Sequence, residues 1–372
     1  MFINEIVKKH FRPYWLQIIS STISSGFASI LYLSFSRQHA TLFILLSAEL
    51  VSCSSILTYL IIRRSSYIRR DIMMGFFLIA IAMLVLLVFP FSLPLMYIYY
   101  ALSGVGAICF FVAYNILFFS DAQQHRHLRD MTFYWSIFVI IGAVAPILAA
   151  YLLHTTNLSV YLLSACAILL GGAWLASCVS RDRYIYTKSE LFHHLKGLRT
   201  ITAIDGALHK VVYIVISLWG LKYITTEMDY GKFLSVVGVV AILVGFRMAT
   251  VSDKLQKRAI FIWPLSIAAG ITTILFFFVD SFVGFLVLAL ILKAFTVLVE
   301  PIRSNIIQDK REKAPINWIS REIFLNLGRT SLIAVIVGIL YFHVDRGIFI
   351  VLGLLHISFP FMVHFKKIYR GV

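Results

Sequence analysis

Apolar residues run along this 372-residue chain in twelve long stretches that are separated by short polar connections. Each stretch is about 20 residues long, the length that an α-helix needs to cross the hydrocarbon core of a bilayer. None alternates strictly between apolar and polar positions, as membrane β-strands do. The pattern therefore predicts an all-α polytopic membrane protein. The predicted spans cover residues 14–35, 41–62, 72–90, 94–119, 132–153, 159–178, 204–225, 233–251, 260–279, 282–301, 320–342 and 346–365.

Composition excludes a water-soluble protein. Apolar residues make up 60% of the chain and charged residues only 13%, too few to cover a surface in water. The four cysteines all fall within predicted spans and form no CxxC motif, so we expect no disulfide, metal site or cofactor. No pair of nucleophile and base is evident, and we expect no enzymatic activity.

The positions of the basic residues predict the orientation of the chain. Alternate connections, beginning with the N-terminus, carry 24 Lys and Arg residues, whereas the remaining connections carry four. By the positive-inside rule both termini are predicted to be cytoplasmic. This distribution also accounts for the net charge of +16 without a nucleic-acid partner. Short loops favour a monomer in a bacterial inner membrane, with the lipid bilayer as its surroundings.

The longest connection divides the chain into two sets of six spans. We predict an N-terminal six-helix bundle over residues 1–178, a cytoplasmic linker over 179–203 and a C-terminal six-helix bundle over 204–372. In the linker, apolar residues recur at helical spacing from Leu191 to Ile201, and Thr187 with Glu190 forms a capping-box pattern. The linker is predicted to be either an amphipathic helix on the inner leaflet or a solvated basic segment.

The loop after span 8 carries a motif that is typical of one transporter superfamily. It keeps an acidic residue, Asp253, followed at a fixed spacing by the basic residues Lys254, Lys257 and Arg258. In this the chain resembles the major facilitator superfamily, and its topology is similar over the whole length. The resemblance implies two six-helix bundles that rock about a central site, and a cytoplasmic gate that includes Asp253, Lys257 and Arg258.

Span 5 resembles the Gly-Pro-rich stretch that is typical of antiporters in this superfamily, although alanines replace most of the glycines. Gly142 and Pro146 are the candidate helix pivot, because small residues allow close helix contact and Pro146 frees a backbone carbonyl. The alternative is that these small residues only pack helices together. In span 4, Tyr100 occupies a position where the family often has Arg, which weakens the analogy for proton handling.

Ionisable residues within the spans are candidates for coupling, because a charge in hydrocarbon costs roughly 2.5 to 3.5 kcal/mol unless it faces a partner or water. Glu49 in span 2, Glu300 in span 10 and His209 in span 7 are the proton-coupling candidates. Lys293 in span 10 is predicted either to bind a substrate anion or to form an ion pair with Glu49 or Glu300.

Span 11 begins with a polar stripe. Glu322, Asn326 and Arg329 share one helical face, with Arg247 of span 8 and Glu300 as the nearest candidate partners by depth. We interpret the stripe and Arg247 as part of the cytoplasmic gate.

By the resemblance, spans 1, 4, 7 and 10 line the central cavity. The candidate cavity residues share polar or aromatic side chains on these spans and are, besides Lys293, Gln17, Ser24, Tyr100, Asn115 and Tyr213. Such side chains suit a moderately polar organic molecule, or they serve helix packing instead.

The leading functional hypothesis is a secondary transporter that exports a small organic solute by proton antiport. The first alternative is proton symport that takes up a small anionic or siderophore-like metabolite. A second alternative, from a different class, is a flippase for lipids or lipid-linked glycans.

Overall fold

The computed structural model describes residues 13–38, 40–120, 127–179, 181–255, 261–310, 315–366 and 368. Within these ranges the side chains at 119–120, 127–135 and 246–255, and most of those at 301–310, lie outside the description. The described chain is helical apart from one two-stranded sheet and short connections.

The first half contains six long helices and one strand. They are α1 (Pro13–Arg37), α2 (Leu42–Ile62), β1 (Ser65–Tyr67), α3 (Ile68–Val88), α4 (Leu93–Ser120), α5 (His127–Thr155) and α6 (Leu158–Ala176). Side-chain caps begin two of these helices: Thr41 accepts a hydrogen bond from the Ile44 amide, and Asn157 accepts one from the Val160 amide.

The linker and the second half follow. They contain β2 (Arg183–Ile185), α7 (Lys188–His194), α8 (Arg199–Gly220), α9 (Glu227–Leu255), α10 (Ile262–Phe278), α11 (Phe282–Lys310), α12 (Pro315–Tyr341) and α13 (Gly347–Phe365).

Twelve of the thirteen described helices, all except α7, correspond to the twelve predicted spans. Eleven of the described helices are long and apolar enough to cross a membrane, and the predicted ninth span is the shorter apolar helix α10. The all-α, multi-pass membrane architecture is therefore confirmed. The division at residues 178 and 203 stays a prediction, and α8 already begins at Arg199, inside the predicted linker.

Packing is equivalent in the two halves. In the first half α1 packs on α5, α2 on α4, and α3 on both α4 and α6. In the second half α8 packs on α12, α9 on α11, and α10 on both α11 and α13. The halves meet along two seams, α2 with α12 and α5 with α9. Both seams join the second helix of one half to the fifth of the other, as a pseudo-twofold relation requires.

One end of the bundle carries the two strands and α7 and is called the linker end; the opposite end is called the far end. At the linker end β1 and β2 pair antiparallel with Ser66 opposite Tyr184. The predicted capping box at the start of α7 is present, because Thr187 and Glu190 bond each other's backbone amides. These bonds lower the pKa of Glu190 below its ordinary value.

Part of the apolar face of the linker packs on α12. Leu191 and Leu195 are buried, and Phe192 makes an edge contact with Phe324 of α12. His194 contacts the Asn317 side chain at the start of the same helix. The predicted amphipathic pattern is thus satisfied by α12, which offers an apolar surface directly beside the linker.

Candidate functional site

A buried carboxylate joins the two halves. Glu49 of α2 is only 3% exposed, and the Tyr32 hydroxyl of α1 donates a hydrogen bond to its Oε1 atom. The Nζ atom of Lys210, from α8 of the second half, lies 3.7 Å from Glu49 Oε2. Tyr100 lies beside Tyr32, with ring centroids 6.3 Å apart. A buried carboxylate and a partly exposed ammonium group from opposite halves therefore meet.

The position of Lys210 depends on a local irregularity of the helix. Residues Ala207–Val211 of α8 form a π-helical segment, and residues Thr22–Phe27 of α1 form another at the equivalent place in the first half. A π segment inserts extra residues into a turn and rotates the faces on either side, and such segments are frequent at functional sites. His209 and Lys210 both lie in this segment and point to different partners.

The second carboxylate lies within the second half. Glu300 Oε1 of α11 is 3.5 Å from His209 Nδ1 of α8, so the structure brings two of the predicted proton-coupling residues together. The Lys293 ammonium group lies 5.3 Å from the centre of the Tyr213 ring, which brings two predicted cavity residues together. Within the described residues Lys293 forms no ion pair within 4.0 Å. Its predicted roles, in binding a substrate anion or in pairing with a carboxylate, both stay predictions.

The polar stripe of α12 forms an internal network. Arg329 donates to Asn326 Oδ1 at 3.2 Å and lies 3.7 Å from Glu322 Oε2, while the Asn326 amide donates to the Glu322 carbonyl oxygen. Arg321, which the sequence did not single out, lies 3.5 Å from Glu322 and 3.8 Å from Asp205 of α8. The three stripe residues thus meet as their spacing indicates.

The partners of the stripe differ from those expected. Glu300 lies against His209 instead, and Asp205 contacts Arg321, which in turn contacts Glu322 of the stripe. Asp205 also lies 3.0 Å from Nε of Arg303, an α11 residue with a fully buried side chain. These ion pairs join α8, α11 and α12 of one half. Their role as a gate stays a prediction.

The remaining cavity candidates are dispersed. Gln17 is buried and accepts a hydrogen bond from the Tyr114 hydroxyl at 2.9 Å. Asn115 is buried, whereas the Ser24 side chain is exposed and its hydroxyl lies 3.4 Å from the Ser21 carbonyl oxygen. Tyr213 is partly exposed. Gln17 therefore serves helix packing in this conformation, while Ser24 and Tyr213 present accessible surface.

The small residues of span 5 lie at a seam between the halves. Gly231 and Gly238 of α9 approach the backbone of α5 so closely that a Cβ atom at 238 would lie 2.6 Å from Ala143 Cα. The carbonyl oxygens of Pro146 and Gly142 both lie at this seam, whereas a Cβ atom added at Gly142 would meet nothing within 4 Å. Helix α5 continues through Pro146. The glycines of α9 allow the close packing, and the pivot role of Gly142 and Pro146 stays a prediction.

Two further ion pairs were not predicted from the sequence. At the far end Arg37 of α1 bonds Glu227 of α9, and its Nε donates to the Thr225 carbonyl oxygen at 3.1 Å, so the halves are tied there. At the linker end Arg63 bonds the fully buried Asp71. Burial lowers the pKa of the Arg63 guanidinium, but the charge of Asp71, the hydrogen bond to it and two neighbouring tyrosines together raise this pKa above its ordinary value.

Four predicted gate residues fall outside the description of side chains. Lys257 and Arg258 lie outside the described residues, and the side chains of Arg247 and Asp253 lie outside the description of α9. Within the described ranges no group of three His, Cys, Asp or Glu side chains could hold a metal ion. The described site consists of ion pairs and hydrogen bonds.

The chain was compared with known proteins. No protein-family model and no curated protein matches the sequence. A POT family transporter in complex with 5-aminolevulinic acid is 14% identical, with a TM-score of 0.72, over 97% of this chain and 96% of that one. A POT family transporter bound to a thioalcohol-conjugated peptide is 13% identical over the same shares, with a TM-score of 0.74. A peptide transporter POT in complex with sulfate is 12% identical over 98% of this chain and 96% of that one, with a TM-score of 0.71.

Identities this low establish the fold alone. The POT transporters have the major facilitator fold, so the predicted resemblance is confirmed at the level of architecture. The chain therefore shares the fold of POT family transporters along almost its entire length.

Proposed function

We propose that this protein is a secondary transporter that moves a small organic solute by alternating access. The observation that carries the proposal is the ion pair between Glu49 of the first half and Lys210 of the second. Ionisable residues at this depth are costly and mark transport pathways. A pair that bridges the two halves must break when they separate. Its formation therefore favours the conformation in which the halves are close together at Glu49 and Lys210.

The same pair supports coupling to protons. When Lys210 moves away, the buried Glu49 carboxylate keeps the hydrogen bond from the Tyr32 hydroxyl but loses its charged partner. An uncompensated buried charge is strongly unfavourable, and binding a proton removes that cost. The Glu300–His209 pair is a second contact between an acidic and a basic side chain, and it lies within one half.

The substrate class follows from the charged side chains of α2, α8 and α11. Lys210 and Lys293 offer ammonium groups, and Glu49 and Glu300 offer carboxylates. These suit a small solute that bears both carboxylate and amino groups. The complexes of two solved neighbours with 5-aminolevulinic acid and a peptide conjugate support this class. Export by proton antiport stays the direction predicted by span 5, and symport uptake is its alternative.

The test is flux in proteoliposomes with an imposed pH gradient, using radiolabelled 5-aminolevulinic acid and a labelled dipeptide as probes. Solute movement against its own gradient is expected, and its direction relative to the proton gradient separates antiport from symport. Glu49→Gln should abolish gradient-driven accumulation while one-for-one exchange continues. The matched control is Asp345→Asn, which removes a carboxylate paired with Lys222 within the second half.

Two outcomes oppose the proposal. Accumulation by Glu49→Gln at the rate of the Asp345→Asn control would exclude coupling through Glu49. Vesicles that move a fluorescent phospholipid between leaflets, but neither soluble probe, would favour the flippase alternative.

A further inference from the structure

The strand pair at the linker end presents an unusual cluster of cations around one aromatic ring. The Arg70 guanidinium lies 4.1 Å from the centre of the Tyr67 ring, and the Arg183 guanidinium lies 4.7 Å from it. Tyr67 and Arg183 are opposite each other in the strand pair, while Arg70 lies one helical turn after Tyr67 in α3. The ring thus holds two guanidinium groups from distant parts of the chain close together.

Acidic residues offset only part of this charge. Residues 63–71 and 181–183 contain six arginines and two acids, Asp71 and Asp182. The Asp71 carboxylate is fully buried on the opposite side of the strand, where Arg63, the Ser66 hydroxyl and the Tyr67 amide bond the same oxygen. Arg70 lies 3.6 Å from the other oxygen, yet its side chain is 61% exposed. The outward face therefore keeps an excess of positive charge.

Two exposed isoleucines belong to the segments that carry these cations. Ile185 of β2 is 63% exposed, and Ile62 at the end of α2 is 68% exposed. Helix α2 spans the apolar layer up to Ile62, so the strand pair that follows lies at the membrane boundary. A soluble anion would contact the arginines but not the exposed isoleucines. A phospholipid would contact both, because its phosphate binds cations and its acyl chains pack against apolar side chains.

We propose that this surface, formed by Tyr67, Arg70, Arg183 and Ile185 and called the ladder surface, binds an anionic phospholipid. The lipid belongs to the leaflet at the linker end. Arg70 and Arg183 hold the phosphodiester, because planar guanidinium groups match phosphate oxygens in pairs. The acyl chains lie along Ile185 and Ile62. This binding is independent of the proposed transport.

Native mass spectrometry of the full-length protein, titrated with dioleoyl phosphatidylglycerol in detergent, tests the proposal. The variant is Arg70→Gln/Arg183→Gln. The matched control is Lys188→Gln/Lys366→Gln, which removes two exposed charges from the same end of the bundle. The loss of two charge-assisted contacts should lower the apparent affinity of the first retained lipid by about tenfold more in the variant than in the control.

Each further outcome decides for or against the site. An equal loss of lipid affinity in both double variants would show that retention depends on general surface charge, and this would overturn the proposal. Competition by soluble glycerol phosphate at equal concentration would point to a soluble anion and would also overturn it. If the double variant does not fold, Arg183→Gln alone, at an exposed strand position, should still weaken retention by roughly threefold.

Discussion

The seam between α5 and α9 offers a sharp test of how the halves are held together. A Cβ atom at Gly238 would lie 2.6 Å from Ala143 Cα and 2.9 Å from the Gly142 carbonyl oxygen. Both are backbone atoms, so no change of rotamer relieves the overlap in Gly238→Ala. The helices must separate by roughly 0.8 Å to restore ordinary contact, a gap that forfeits about a quarter to a half of the local dispersion attraction.

Gly142→Ala is the matched control on the facing helix, because a Cβ atom there would meet nothing within 4 Å. Both variants gain about 1 kcal/mol of helix propensity, so their difference isolates the packing. We expect Gly238→Ala to be less stable than Gly142→Ala by about 1 to 3 kcal/mol.

Tryptophan fluorescence during heating in detergent reads out the difference, since the chain has six tryptophans. The melting midpoint of Gly238→Ala should lie about 2 °C or more below that of the control. Equal midpoints would show that α5 and α9 can move apart freely, and the close seam would then not contribute to stability.

Two further predictions concern the linker end. Asp71→Asn should lower the free energy of unfolding by about 3 to 5 kcal/mol, because it leaves the Arg63 charge buried without its carboxylate. Asp280→Asn, at an exposed pair, should cost no more than about 1 kcal/mol, and similar losses in thermal unfolding would contradict the reasoning. Because the pKa of Glu190 is lowered in the folded protein, its ionised carboxylate stabilises α7 at pH values above the ordinary pKa of 4.5. This stabilisation is lost as the pH falls through the lowered pKa. Hydrogen exchange over residues 187–195, corrected for intrinsic rates, should therefore rise in acid for the wild type, while Glu190→Gln exchanges faster already at neutral pH.

The sequence was sufficient to place the spans, because the thickness of the hydrocarbon layer imposes a length on every apolar helix. It also indicated that Glu322, Asn326 and Arg329 share a face, since α12 is a regular helix there. The capping box of α7 followed from local spacing alone. These features depend on neighbours within a few residues.

Lys210 was missed because periodicity assumes a regular helix. The π-helical segment around it turns His209 toward Glu300 and Lys210 toward Glu49, and no spacing rule signals such an insertion. The clustering of Tyr67, Arg70 and Arg183 was equally hidden. Strands of three residues carry no recognisable alternation, and their partner lies more than a hundred positions away.

The length of the tether between the halves limits how far they can part. Only Tyr186 and Thr187 separate β2, which is paired with the first half, from α7, which rests on the second. Thr187 is already extended, and two residues reach at most about 7 Å. A wider opening at this end would require α7 to separate from α12 or the two strands to lose their pairing. The short connection therefore limits how far the two bundles can move apart at the linker end.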